Sequence, residues 1–295
     1  MKIMKASKIL CFLFFIVCGN FSHAQLTDLA RLEYSFIPKT KSEDQYTRLR
    51  ALVNYPIKLT EDAYIIVGAE YNRIILELED KYPFDVSLLN TIHIIDLNLG
   101  YTFKTSEKWR WGVRVNPRIA STLTQNIETD DLFLNGGVFA INDRTKDESA
   151  KRPYRLIVGL TYNTTTGLPF PLPFLSYYRR VNENWSFALG IPKSNVKYFF
   201  DDKNTVQAFA SVDGYFAHLQ EPTMVQGKSV DHVSLSVIVG GLGYEYKLSK
   251  YLFAYSYIGY TARLENVLRD NERTNIFTLD NLNSFYLRSG LKVKI

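Results

Sequence analysis

Cysteine is nearly absent from the sequence, and its scarcity excludes several kinds of site. The only two cysteines, Cys11 and Cys18, lie within the first 24 residues. Residues 25–295 therefore offer no thiol for a disulfide, a thiolate metal site or redox chemistry. We expect this part of the chain to gain its stability from other interactions, and we expect no cofactor.

Long apolar runs and a charge excess of one sign are also lacking after residue 24. No stretch of residues 25–295 reaches the roughly 20 apolar residues that a transmembrane helix needs. The formal charge of +5 falls to +2 once the three lysines of the first 24 residues are left out. A nucleic-acid-binding chain should carry a basic face, so we expect no nucleic acid partner. No low-complexity linker interrupts the chain, which predicts one domain over residues 25–295.

The first 24 residues follow the three-part pattern of a secretory signal peptide. Lys2, Lys5 and Lys8 give a positive start, and residues 9–19 form an apolar run too short to span a bilayer as a helix. Small residues then stand at Ser22 and Ala24, the positions that a signal peptidase recognises. We therefore predict export and cleavage after Ala24.

Residues 25–295 contain many stretches in which apolar and polar residues alternate with a period of two. In residues 47–59, Leu49, Val53 and Tyr55 fall on one face, and Arg48 and Arg50 fall on the other. Successive side chains of a β-strand point to opposite faces, so the pattern predicts strands with one apolar and one polar face. The same alternation recurs in residues 93–104, 110–119 and 287–295.

These strands fit a transmembrane β-barrel better than a soluble β-sandwich. Many of the runs have ten or more residues, the length that crosses a bilayer at a tilt, and the polar face is charged repeatedly. We predict an all-β, antiparallel up-and-down barrel in the outer membrane of a Gram-negative bacterium, with outer-membrane lipid around it. The predicted strands are 26–37, 46–59, 64–78, 91–105, 109–123, 132–143, 154–165, 173–181, 185–191, 194–200, 205–219, 231–248, 251–264 and 282–295. This gives about 14 strands, or 12 if the two short strands in 166–200 merge with their neighbours.

The connections alternate between short turns and longer loops, the arrangement of outer-membrane barrels with short turns on the periplasmic side. Short polar turns are predicted at 60–63, 106–108, 182–184, 201–204 and 249–250, and longer loops at 39–45, 79–90, 124–131, 220–230 and 265–281. The apolar register changes faces at Gly240 and Gly241, where we predict a β-bulge that restores a continuous lipid-facing surface.

Two resemblances support the membrane assignment. The last eight residues, with Gly290, Val293 and Ile295, resemble the C-terminal β-signal of outer-membrane barrels, which implies recognition by the barrel-assembly machinery. The chain is also similar to a family of outer-membrane barrels known as a domain of unknown function and frequent in Bacteroidota. That likeness rests on residues 172–178, 184–186, 190–195 and 207–210 and implies a barrel without an assigned activity.

The charged inner face carries the main functional hypothesis, a channel or a barrel that binds a small solute, with a preference for anions. The alternative is a network of ion pairs that fills a closed, structural or partner-binding barrel. Residues expected to line the interior are Arg48, Arg50, Glu70, Asp96, Arg114, Arg118, Arg288 and Lys292, with Asp213 as a further counter-charge.

Three other features suggest further roles. Pro169, Phe170 and Pro171 belong to a stiff apolar outer loop that could plug the barrel, grip a hydrophobic ligand or act as a rigid cap. His232 and Ser234, two residues apart on one strand face, are the candidates for a lipid hydrolase, the third functional hypothesis. A metal site could form only if one loop brought together His218, Glu221, Asp231 and His232; isolated rim histidines are more often polar surface residues, so we expect no metal.

Overall fold

The computed structural model describes residues 28–145, 147, 152–164 and 170–294. The predicted signal peptide, Pro169 and Ile295 lie outside these residues. Among the described residues, none belongs to a helix with the length and apolar character required to cross a membrane.

The strands are β1 (Ala30–Ile37), β2 (Gln45–Lys58), β3 (Ala63–Glu77), β4 (Thr91–Lys104), β5 (Trp109–Ser121), β6 (Leu132–Asp143), β7 (Tyr154–Asn163), β8 (Phe170–Arg180), β9 (Trp185–Ile191), β10 (Lys193–Phe199), β11 (Asn204–Val225), β12 (Lys228–Lys247), β13 (Leu252–Arg269), β14 (Asn275–Thr278) and β15 (Phe285–Val293).

Fourteen of these strands form one closed antiparallel ring. Strands that follow one another in the chain pair from β1 to β13, and β15 closes the ring by pairing with both β13 and β1. The short β14 pairs with β13 alone and lies outside the ring. The predicted all-β, up-and-down barrel of 14 strands is confirmed. The two short strands predicted in 166–200 stay separate as β9 and β10, so the 12-strand alternative is wrong.

Side chains alternate between an apolar outer face and an inner face, as the period of two requires. On β2, Leu49 and Val53 are exposed, whereas Arg48 and Leu52 are buried. The buried set faces the interior, because Arg48 reaches Asp213 on β11, five strands away around the ring. A contact between strands so far apart can only cross the lumen.

The two rims of the barrel differ in the length of their connections. Short turns join β2 to β3, β4 to β5, β8 to β9, β10 to β11 and β12 to β13 on one rim, which we call the short-turn rim. Ala30 and Val293, near the two described ends of the chain, pair at the same rim. Most longer connections lie on the opposite, long-loop rim, as predicted, but residues 220–225 and 265–269 are strand rather than loop.

The long-loop rim is closed in part by an inserted sheet, made of residues 214–225 of β11, 228–236 of β12, 264–269 of β13 and β14. Its hairpin turns at Gln226 and Gly227, both with positive φ, which suits the twist of a tight two-residue turn. The sheet crosses the mouth of the barrel. Tyr215 stacks on Tyr46 of β2, with ring centroids 6.3 Å apart, and His218 pairs with Ser121 of β5.

Apolar packing between the inserted sheet and the inner wall forms the core of the molecule. Ile74, Ile92 and Ile94 face inward from β3 and β4 and pack in one cluster with buried residues of the inserted sheet, among them Val233 and Leu235. The inward-facing residues of β3 and β4 nearest the long-loop rim are therefore apolar, because they meet protein rather than water.

This packing overturns the predicted bulge at Gly240 and Gly241. The β11–β12 register runs without interruption from Asn204 paired with Tyr246 to His218 paired with His232. The only irregularity of β12 against β13 falls between Ser236 and Val237. The apolar residues on the two sides of the glycines face different environments, since residues 233–239 of odd number face the core and residues 242–246 of even number face outward.

Candidate functional site

A cavity of about 490 Å³ lies inside the ring, between the inner wall of β2–β8 and the inserted sheet. Its polar lining comes from the middle of the strands, where the inward-facing positions are charged or amide residues. These lining residues are Arg50, Glu70, Asp96, Asn98, Arg114, Asn116, Arg118, Asn135, Thr161, Asn163 and Ser236.

Arg118 and Asp96 form a two-pronged ion pair on this wall. The Arg118 Nε donates to Asp96 Oδ1 at 2.7 Å and its Nη2 donates to Oδ2 at 2.9 Å. The remaining Nη1 donates to the hydroxyl of Thr164 at 2.6 Å. Both charged side chains are buried, and parallel hydrogen bonds of this kind hold a guanidinium in a fixed orientation. The pair is therefore a rigid part of the cavity wall.

A second ion pair and a chain of hydrogen-bonded asparagine amides lie on the same wall of the cavity. Arg50 Nη2 donates to Glu70 Oε2 at 2.8 Å. Asn116 Nδ2 donates to Asn98 Oδ1 at 2.6 Å, and Asn98 Nδ2 donates to Asn54 Oδ1 at 3.0 Å. These amides come from β2, β4 and β5 and bond to one another over a width of four strands, so they hold the wall together without adding charge.

Arg114 is the exception among the charged residues of the cavity. Its side chain is exposed to the cavity, and among the described residues it has neither an ion pair nor a hydrogen bond. Its guanidinium lies over the ring of Phe139, 5.8 Å from the ring centroid. Because the other two arginines of the cavity are paired with carboxylates, Arg114 gives the site one uncompensated positive charge.

The remaining lining of the cavity is apolar. Phe170, Leu172 and Phe174 of β8, Pro192 between β9 and β10, and Leu264 of the inserted sheet belong to it. The cavity thus has charged lining residues on β2–β5, with a single free cation, and apolar lining residues on β8. It can accept a molecule that carries an anionic group and an apolar part.

Two ion-pair clusters fill the interior between this cavity and the strands β10–β15. Asp213 accepts from Arg48 at 3.0 Å and from Arg288 at 2.7 Å. Glu245 lies 2.6 Å from the Nζ of Lys292 and 3.2 Å from that of Lys197. Buried charges are stable only when paired and hydrogen-bonded, and both carboxylates meet that condition.

Glu245 was not among the residues predicted from the sequence, although a signal for it was present. It stands between Tyr244 and Tyr246, both of which belong to the outward apolar set of β12. The period of two therefore places Glu245 on the inner face. Its partners could not be deduced, because they come from strands that become neighbours only when the ring closes.

Comparison with known protein families identifies the chain. The family described as Domain of unknown function (DUF6268) matches residues 33–294. The chain belongs to this family. Among curated proteins, none matches the DUF6268 chain.

Several solved structures share general features with the DUF6268 barrel at low identity. A structure titled KdgM porin has 8% identity and a TM-score of 0.38, with 90% of this chain and 99% of that chain covered. An outer membrane channel from Pseudomonas putida F1 has 12% identity and a TM-score of 0.41, with 94% and 100% covered. LpxR from Salmonella typhimurium has 10% identity and a TM-score of 0.41, with 90% and 100% covered. Likenesses at these values do not assign a function to the DUF6268 barrel.

The eight residues predicted to line the interior of the DUF6268 barrel occupy two places. Five of them line the cavity, namely Arg50, Glu70, Asp96, Arg114 and Arg118. The other three, Arg48, Arg288 and Lys292, belong to the two ion-pair clusters.

The described residues of the predicted outer loop and of the predicted assembly signal lie within strands. Phe170 and Pro171 begin β8 rather than forming a loop, and the part of the prediction that includes Pro169 falls outside the described residues. Gly290 pairs with Tyr255 of β13, and Val293 pairs with Leu252. Recognition of these C-terminal residues by the assembly machinery stays a prediction.

The residues proposed for hydrolysis or metal binding are packed inside the inserted sheet. Ser234 is fully buried, and Arg269 Nε lies 3.4 Å from its hydroxyl. Burial lowers the pKa of His232, whose Nδ1 lies 3.3 Å from the carbonyl of Asp270. No group of three or more potential ligands suited to a metal ion occurs among the described residues. The buried Ser234 hydroxyl has no path to a lipid ester, so this pair gives the hydrolase hypothesis no support.

Proposed function

We propose that the chain is an outer-membrane barrel that binds a small anionic solute in its lumenal cavity and gives it a passive route across the membrane. The membrane location is supported by the closed ring, the exposed apolar outer face and the contrast between short-turn and long-loop rims. A closed ring leaves no unpaired strand edge around most of the circumference, which a lipid environment requires.

The observation that carries the proposal is the free guanidinium of Arg114 in a cavity of about 490 Å³. An unpaired guanidinium that is exposed to a cavity is available to bond an anionic group of a ligand. A carboxylate, phosphate or sulfate group would complete the charge balance of the cavity by accepting hydrogen bonds from Arg114.

A structural barrel with a blocked lumen is the second candidate. The observation in its favour is the amount of protein inside the ring, since the inserted sheet fills the mouth and the clusters around Asp213 and Glu245 cross the interior. The two candidates differ in what they predict for ion flow, so a conductance measurement separates them.

Reversal potentials in planar bilayers under a KCl gradient test the proposal. We expect the wild-type barrel to conduct with a preference for chloride, and Arg114→Ala to lower the chloride-to-potassium permeability ratio about fivefold, the factor for about 1 kcal/mol of charge interaction in a wet site. Arg73→Ala is the matched control, because Arg73 is exposed on the outer face of β3. Absence of conductance at every voltage and salt concentration, with no change in Arg114→Ala, would favour the blocked barrel.

A further inference from the structure

Within the part of the chain that the structure describes, the ring has a stretch without strand pairing between β8 and β11. β8 pairs with β7 over residues 170–179, but with β9 only over Leu175–Arg180. On the far side of the β9–β10 hairpin, the ladder between β10 and β11 ends at Ser211. In the described part of the chain, residues 170–174 of β8 have no strand partner on this side. We call this opening, bordered by residues 170–174, Pro192 and Val212, the wall gap.

The wall gap lies at the depth of the bilayer because β9 and β10 are short. Each has seven residues, whereas a transmembrane strand needs about 9–11. With a rise of about 3.3 Å per residue and a tilt of about 40°, seven residues cover about 18 Å of an apolar band about 25 Å tall. Trp185, at the foot of β9, is exposed at the short-turn rim, where aromatic residues meet the interface. The part of the apolar band that β9 and β10 do not cross therefore lies in the outer leaflet.

Two prolines adapt the edge of the gap to an apolar environment. An unpaired strand edge in hydrocarbon is costly because its N–H groups lose their hydrogen bonds. Proline has no N–H, and alternate residues of an antiparallel strand direct their polar groups to opposite neighbours. Pro171 and Pro173 lie opposite Tyr162 and Leu160 of β7 and, because they have no N–H, suit positions of β8 whose N–H would otherwise point into the gap. The edge thus lacks the two donors that lipid could not satisfy.

The cavity and the wall gap are one continuous space. Phe170, Pro173, Ile191 and Leu264 line the same cavity as Arg114. Phe170 and Ile191 are each 52% exposed and Leu264 is 53% exposed, so these side chains are not closely packed against other residues. One end of the space presents a cation and the other end presents apolar side chains at the depth of the lipid.

From this geometry we infer that the ligand is a single-chain anionic amphiphile that passes sideways between the cavity and the outer leaflet through the wall gap. Its carboxylate or sulfate would meet Arg114, and its chain would lie along Leu264 and Phe170 toward the lipid. The cavity volume of about 490 Å³ falls in the range of small-molecule sites, about 300–1,000 Å³. The inference rests on the proposed function, because it assigns the ligand class of the same cavity.

Equilibrium dialysis with radiolabelled dodecanoate tests the inference. The full barrel is reconstituted in phosphatidylcholine nanodiscs, and binding is counted as the excess over empty nanodiscs, with acetate as the competitor that lacks a chain. Leu264→Trp narrows the passage and Arg114→Gln removes the cation. Leu287→Trp is the matched control, because Leu287 is exposed on the outer face of β15, away from the wall gap. A heat-dependent gel shift checks that each variant is folded.

We expect saturable dodecanoate binding that excess acetate does not displace, and a loss of about tenfold or more in affinity for both Arg114→Gln and Leu264→Trp, with Leu287→Trp unchanged. Displacement by acetate, with an effect of Arg114→Gln but none of Leu264→Trp, would overturn the amphiphile and leave the proposed small-anion site intact. Dodecanoate binding unaffected by Arg114→Gln would overturn the proposed function and this inference together.

Discussion

Asp131 joins the inserted sheet to the barrel wall through hydrogen bonds. It is fully buried just before β6 and lies 2.8 Å from His218 Nδ1 and 2.6 Å from Gln220 Nε2, both on β11. The backbone N–H of Glu128 donates a third hydrogen bond at 2.9 Å. Burial acts to raise the pKa of Asp131, but these hydrogen bonds outweigh it and hold the pKa below its usual value. The contact therefore depends on an ionised carboxylate.

The pH dependence of this contact follows from the sign of the shift. A carboxylate with a lowered pKa stabilises the docked sheet above its usual pKa of about 3.9, and that stability is lost as the pH falls further. We expect the hydrogen-exchange protection factors of residues 214–225, corrected for the intrinsic pH dependence of exchange, to decrease at pH values below about 4. Asp131→Asn should weaken docking by about 1–3 kcal/mol at pH 7 and remove this acid dependence. Asp130→Asn, at the exposed neighbour, is the control; equal exchange in wild type and Asp131→Asn at pH 7 would contradict the assignment.

At the scale of elements, the bend in β11 at Gly214 decides whether the inserted sheet can form. Gly214 has φ of +156°, and a Cβ at this position would lie 2.0 Å from the carbonyl oxygen of Leu235. The residues of β11 before Gly214 belong to the ring, and those after Gly214 bend inward across the mouth of the barrel. Only glycine allows the two strands to approach so closely at the bend.

Replacing this glycine should release the inserted sheet. We expect Gly214→Ala to destabilise the docked arrangement by about 1–3 kcal/mol through backbone strain and contact with Leu235. The readouts are a lower midpoint temperature of the heat-dependent gel shift and a larger single-channel conductance. Gly240→Ala is the control, because a Cβ there would meet nothing closer than 3.9 Å. An unchanged midpoint and conductance in Gly214→Ala would show that the bend is not a constraint.

Individual strands could be predicted from the sequence where their two faces meet different environments. The predicted strand 46–59 corresponds to β2 at Gln45–Lys58 because lipid lies on one side and polar lumen on the other. Alternation led to a wrong prediction at the bulge near Gly240 because lipid and protein core are both apolar, and the pattern does not distinguish a strand face that meets one from a face that meets the other. Residues 233–239 face the protein core, and their pattern is the same as that of a lipid-facing strand. The start of β8 was missed because its prolines suit a loop and an unpaired strand edge equally well.

At the scale of the whole molecule, the ring of 14 strands could be predicted because its turns and periodicity are local signals. The functional arrangement inside the ring is not local. Asp213 meets Arg48 and Arg288 only because β11, β2 and β15 lie around the same lumen. The cavity and the wall gap likewise depend on the difference in height between β8 and the β9–β10 hairpin, which the sequence shows only as two short strands.

Thiol labelling at position 114 tests most directly whether solutes reach the cavity. Arg114→Cys and Ala120→Cys place a cysteine on the same inner face of β5, but Arg114 borders the cavity and Ala120 is fully buried beneath the inserted sheet. The chain without an introduced cysteine gives the background. In intact cells that carry the barrel, an anionic methanethiosulfonate should label Arg114→Cys rapidly and Ala120→Cys hardly at all. Equally slow labelling of both variants would contradict an accessible cavity and favour the blocked barrel.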